Sequence, residues 1–331
     1  MIRRILTSRE SILFYVFLAM FAAFSAFTDG FLDWFSLFER TRYWVVPGMI
    51  AVPMTFIIAT AGIDLSVGSI VALCGIVLGL LYQDAQWPLW AAACAAVVAG
   101  VLAGAFNGGV SSYLNIPPLV VTLATMALFR GLAMGLSKAR SFSDLPEGFR
   151  WLSQGDAFSI PAGEAGPVFF PAPLFALIVT VVAGWLLMRR SWVGRFTECI
   201  GENEVAARFA AIDARRLKLA LYTACGLVCG VGALFNTALY ATAKADAATG
   251  MELDVIACVV IGGTRISGGQ GSVIGSLLGL LIIGILKYGL EMAGVRSHNV
   301  VIFVGGLLIV TAVFNEWMAS TGGRSRRGER A

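Results

Sequence analysis

The chain has 331 residues, 58% of them hydrophobic and 13% charged, with a formal net charge of +4. An average soluble domain carries about twice that share of charge. Apolar runs of bilayer-spanning length, about 17–25 residues, recur throughout, so a soluble globular fold is excluded. A transmembrane β-barrel would show short alternating segments instead. The expected fold is therefore an all-α polytopic membrane protein over residues 1–331, with about ten transmembrane helices, some of them broken. The few basic residues cluster at run edges, where they set orientation, and this argues against a nucleic-acid partner.

The first run, 12–28, follows Arg3, Arg4 and Arg9. That start resembles a signal peptide, but no small-residue cleavage site stands out before Asp29, so the run is expected to be a retained helix. Further spans are expected at 44–61, 67–82, 89–113, 118–136, 172–188, 218–240, 253–263, 272–291 and 299–315. Pro47 and Pro53 interrupt the second. Just beyond it, in "ATAGIDLSVGSIVAL" (59–73), Asp64 and Ser66 stand between Gly62 and Gly68. Charge is expensive in lipid, and this pattern predicts a discontinuous helix whose irregular backbone is buried or lines a cavity. Asp64 then either caps the following helix or contacts a transported solute.

In "GAFNGGVSSYLNIPPLVVTL", Asn107, Ser111 and Ser112 lie among glycines, suited to interhelical hydrogen bonds or to ligand contact. Asp64, Ser66, Asn107 and Ser111 are the candidates for a translocation path. Arg130 is expected to snorkel to an interface. The stretch 137–170, with three prolines and a net charge of −1, is expected to be an external loop of irregular backbone. Rows of small residues at Gly100, Gly104 and Gly108, at Gly226 and Gly230, and at Gly271, Gly275 and Gly279 let helices approach closely, within one bundle or between subunits.

Residues 189–218 hold seven basic and four acidic residues and belong on the cytoplasmic side. The same rule places both termini there, the tail through Arg324, Arg326, Arg327 and Arg330. Within this loop, "IGENEVAARFAAIDARRLK" (200–218) has Val205, Phe209 and Ile212 at helical spacing, an i,i+4 pair of Glu204 with Arg208, and a basic end. A short amphipathic helix is expected, lying on headgroups or its own bundle, or docking a cytoplasmic partner.

Span 253–263 is too short to cross alone. The following "IGGTRISGGQGSVIGSLLG" (261–279) repeats the Gly-Ser-then-apolar pattern of Gly68-Ser69, a weak internal repeat. It lacks the lysine of a phosphate-binding loop. Lys287 and Glu291 are spaced to pair across one turn. His298 is the only histidine, the six cysteines fall mostly in apolar runs, and no nucleophile elbow is present. No cofactor, metal site or catalytic residue is expected.

"GIDLSVGS", "NGGVSSYLNIPPLVVTLATMALFRG", "IGENEVAARFAAID" and "VVIGGTRISGGQGSVIG" together resemble the permease subunits of bacterial ABC importers for monosaccharides, a family that includes permeases for ribose, xylose, arabinose, rhamnose and autoinducer-2. The resemblance covers residues 45 to 312. It implies a ten-helix permease in the bacterial inner membrane that pairs with a second copy or a paralogous permease. It also implies a monosaccharide or sugar-like substrate, delivered by a periplasmic sugar-binding protein, and a cytoplasmic ATP-binding subunit that drives alternating access. By the same resemblance the 189–218 loop carries a coupling helix gripped by that ATPase. The matching positions are Gly201, Glu202, Asn203, Glu204, Ala206, Ala207 and Ile212, with Arg208 added by its spacing from Glu204. The family usually has glycine just before that isoleucine. Here the residue is Ala211, which fits a continuing helix better than a sharp turn. The competing class is a proton- or sodium-coupled secondary transporter, for which Asp64 and Glu291 are the only intramembrane carboxylates to consider.

Overall fold

The computed structural model describes residues 9–161, 167–296, 299–311 and 313. Arg3, Arg4, Glu164, His298 and the basic tail lie outside the described residues. Among the described residues all ten predicted runs hold helices, and eight are long enough to cross a bilayer. These are α1 (Arg9–Phe27), α2 (Trp34–Ala59), α3 (Val67–Gly79, continued by a wide turn over Leu80–Asp84), α4 (Leu89–Tyr113), α5 (Pro118–Ser137), α7 (Pro173–Arg190), α10 (Ala214–Tyr240) and α12 (Val273–Met292). Two are short: α11 (Met251–Ile261) and α13 (Asn299–Thr311). At 11 residues, α11 rises about 16 Å, roughly half of a hydrocarbon core.

The expected break between the second and third spans is present, but not at the prolines. Pro47 and Pro53 lie inside the continuous α2, each removing one backbone donor without ending the helix. The chain leaves helix at Thr60–Ser66, where Ala61 takes a positive φ.

Helix α2 also starts ten residues before the predicted boundary, taking in Glu39, Arg40 and Arg42. The buried Arg42 guanidinium explains why this is tolerated. It donates to the carbonyls of Ser153 (2.7 Å) and Gly155 (2.9 Å), and to Glu39 and Asp156. Its acceptors beyond α2 belong to the 137–170 stretch, which is more regular than expected. It holds α6 (Glu147–Gln154) and an antiparallel hairpin of β1 (Asp156–Pro161) with β2 (Pro167–Pro171). Arg42→Met leaves these acceptors unpaired and is expected to destabilise the hairpin by about 2 kcal/mol. Limited proteolysis should then cut first within residues 147–171.

Two further pairings differ from the sequence expectation. Lys287 and Glu291 do not pair with each other: Lys287 bonds Asp254 at 2.6 Å and Glu291 bonds Arg40 at 3.0 Å. Arg130 does not snorkel but donates to the carbonyls of Ala245 and Ala247, at 2.7 Å each. Both basic side chains find partners on the non-helical segment 241–250 or on α11, which spacing along one helix cannot reveal.

Helix α10, 27 residues long, measures about 40 Å and joins the two ends of the bundle. Its last turn accepts a hydrogen bond from Gln154 at the hairpin end. Its first turn adjoins α8 (Trp192–Glu202) and α9 (Glu204–Phe209) at the other. Along its length it packs on α4 through glycines. A Cβ at Gly104 would overlap the Tyr222 carbonyl, and one at Gly230 would reach Val97. Gly275 and Gly279 meet the carbonyls of Gly262 and Cys258 in the same way. These rows close inside one bundle. The core formed around α2 includes Cys74, Cys225, Cys229 and Cys258 as packing residues.

Candidate functional site

The predicted amphipathic segment 200–218 is three pieces rather than one helix: the end of α8, the six-residue α9, and the start of α10. Asn203 caps α9 by accepting from Ala206 N–H at 2.9 Å, and Asp213 caps α10 by accepting from Arg216 N–H at 3.1 Å. Between them Ala211 adopts φ +59°, so the sharp turn forms despite alanine. A side chain at such φ is strained, by about 1 kcal/mol. The turn is held by the Ile212 amide donating to the Ala207 carbonyl at 3.0 Å.

That turn splits the apolar stripe. Val205 is 64% exposed and Phe209 89% exposed, whereas Ile212 packs on the core. Ala207 is buried and anchors α9. Glu204 makes the expected bond to Arg208 at 2.6 Å and a second, to Lys218 on α10, also at 2.6 Å. Partial burial pushes the Glu204 carboxyl up, but the hydrogen bonds and charges of Lys218 and Arg208 outweigh it and hold the group below the usual glutamate range. Lys218 is absent from the candidates drawn from sequence, because a separation of fourteen residues across a turn has no periodic signal.

Gly201 shows what α8 and α9 rest on. A Cβ there would overlap the Ala59 carbonyl at the end of α2 and the Gly269 amide in the loop before α12. The Gly269 amide itself donates to the Ala59 carbonyl at 3.0 Å. Glu202 lies against Gly269. The end of α8 therefore rests directly on the break between α2 and α3, and on the segment linking α11 to α12.

The four path candidates do not share one place. Asp64 Oδ1 accepts from the Ser66 amide (2.9 Å) and hydroxyl (2.6 Å), and Asn107 Nδ2 donates to the Ser66 hydroxyl at 2.7 Å. All three residues are fully buried. Asp64 thus closes the turn ahead of α3 rather than capping its first turn, and ties the break to α4. Ser111 lies apart, donating to the Ile116 carbonyl and lining a pocket of about 220 Å³ beside Glu204, Arg215 and Lys218.

A larger cavity, of about 620 Å³, opens on the opposite, hairpin end between α2, α10, α11 and α12. The Arg40–Glu291 pair stands at its mouth, Asp254 and Lys287 lie deeper, and Leu280 and Cys258 form its floor. Its size suits a small solute. No sequence signal marks it, since its wall is assembled from five stretches of chain, these four helices and the 241–250 segment. Among the described residues no group of three His, Cys, Asp or Glu could hold a metal.

Comparison with known proteins matches residues 37–312 to the family described as branched-chain amino acid transport system / permease component. The autoinducer 2 import system permease protein LsrD of Klebsiella pneumoniae is 33% identical over 322 residues, 94% of each chain. The proteins of the same name in Escherichia coli K12 and Shigella flexneri are 32% identical over 313 residues, 90% of this chain and 92% of theirs. No solved structure matches the chain. The chain belongs to this permease family: it is a multi-pass inner-membrane subunit of an ABC-type importer, a transport component rather than an enzyme, with ATP hydrolysis on a separate subunit.

Proposed function

We propose that this permease imports autoinducer-2 or a similar furanose-like solute by alternating access, paired with a second copy or a paralogous permease. An ATP-binding subunit grips α9 from the cytoplasm, and a periplasmic binding protein delivers solute at the hairpin end. The observation that carries this reading is the exposed Val205–Phe209 knob on a helix locked to α10 through Glu204. An apolar pair that projects from a charged surface is a docking anchor. In this reading the coupling residues are Gly201, Glu202, Asn203, Glu204, Ala206, Ala207, Arg208 and Ile212. Closure of the ATPase pushes α9, and Gly201 passes the motion to Ala59 and Gly269. The Asp64–Ser66–Asn107 cluster keeps the break as one hinge while the flanking helices tilt, and Ser111 lies beside the same moving end.

The test is uptake of labelled autoinducer-2 by proteoliposomes holding the permeases, the ATP-binding subunit and the binding protein. Uptake should require ATP and persist when proton and sodium gradients are dissipated. Uptake that instead follows an ion gradient would overturn the reading.

A further inference from the structure

The cavity at the hairpin end holds a charge pair that the coupling scheme leaves unused. Asp254, in the first turn of α11, and Lys287, on α12, meet at 2.6 Å, with side chains 28% and 31% exposed. The pair is not needed to hold the two helices together, because Gly275 and Gly279 already bring α12 onto the backbone of α11 and its following turn. This pair faces the cavity. Among the described residues, Asp254 Oδ1 has no hydrogen-bond partner, and Lys287 uses one of its three donors.

The surroundings extend the same chemistry. From Glu291 at the mouth to Leu280 at the floor, α12 descends about 16 Å. Lys287 is one turn below the mouth. Tyr43, Trp44 and Tyr240 line the cavity with aromatic rings, and Asn236, Thr242 and Thr249 add hydrogen-bonding groups. Tyr288, also on the wall, keeps a buried hydroxyl without a partner. Leu280 meets Leu177 over Gly48 below the floor, so solute entering here stops at this level.

We propose that Asp254 and Lys287 form a solute-recognition pair belonging to the permease itself, taking a neutral solute with neighbouring hydroxyls. The inference rests on the import reading above. One hydroxyl donates to the free Asp254 oxygen while its neighbour accepts from the Lys287 ammonium. The pair has no net charge, so the solute needs none. A zwitterionic amino acid would have to part the two side chains, replacing each partner at its 2.6 Å contact, whereas a diol adds to the pair as it stands.

The experiment uses the reconstituted complex, with labelled autoinducer-2 and labelled leucine as probes and uptake normalised to inserted permease. Asp254→Asn and Lys287→Met should each lower the autoinducer-2 moved per ATP hydrolysed by roughly tenfold, the effect of losing one charged hydrogen bond. The double exchange Asp254→Lys with Lys287→Asp restores a bridge but shifts both groups, and uptake should stay low. Where a variant inserts poorly, Ala247→Cys, on the cavity wall with the pair intact, in a background with the exposed Cys94 and Cys199 replaced by serine supplies a second measurement. Its alkylation by a water-soluble maleimide should slow during turnover with autoinducer-2 and not with leucine. Full uptake in the single variants, recovery in the exchanged pair, or protection by leucine alone would overturn the proposal. A wild-type complex that moves neither probe with ATP would overturn the import reading, and this inference with it.

Discussion

Reversing the charge at Glu204 (Glu204→Lys) is expected to lower ATP-coupled uptake roughly tenfold or more while leaving membrane insertion intact. The carboxylate ties α9 both to its own Arg208 and to Lys218 of α10. The group is about one-third exposed, so each bond is screened by water and contributes less than a buried pair would. Losing both bonds, and setting a new ammonium against Arg208 and Lys218, still changes the balance by about 1.4 kcal/mol or more, a factor of ten. The wild-type clamp has a defined pH range. Because the folded-state pKa of Glu204 lies below the usual value, its stabilisation is complete above the unfolded pKa and is lost only as pH falls through the folded one. Coupling through this contact should therefore be flat near neutrality. Restoring the pair with a second change, Lys218→Glu, should recover part of the uptake. A Glu204→Lys variant with normal coupled ATP hydrolysis would remove the docking role from α9.

Adding a single methyl at Gly104 should be among the most damaging small changes in the protein. The new Cβ would overlap the Tyr222 carbonyl and crowd the Gly226 backbone at 2.9–3.0 Å. Backbone on both sides cannot yield as a flexible side chain would, so Gly104→Ala is expected at the upper end of overpacking costs, about 3 kcal/mol. At Gly109, five residues along the same helix, a methyl would meet nothing within 4 Å. Gly109→Ala should be neutral or stabilise by up to about 1 kcal/mol through helix propensity. Thermal denaturation of the two purified variants, followed by size-exclusion, reads the contrast. Equal melting would show that α4 and α10 are not held by their glycine faces.

Much of this architecture is legible in one dimension because the bilayer is a simple solvent. It demands long apolar runs with internally paired backbone, and those runs, their number and the break at Asp64 stand in the sequence. The 200–218 segment is partly legible for a related reason: Glu204 with Arg208 and the Val205–Phe209 spacing are local, one-turn relations on a single helix. Ala211 shows the limit of local inference. Alanine favours a continuing helix, yet the Ala207 carbonyl and the Asp213 cap impose a turn there.

Composition and contacts within a few residues were enough to name the solvent this chain inhabits, the places where helices form and the surface that projects from one end. The choice of partners was made in three dimensions alone. Lys287 leaves Glu291 for Asp254, Arg130 turns to the 241–250 carbonyls, and Lys218 joins Glu204. A charge in a low-dielectric interior takes the best-placed opposite group within a few ångströms, and distance along the chain does not enter that choice.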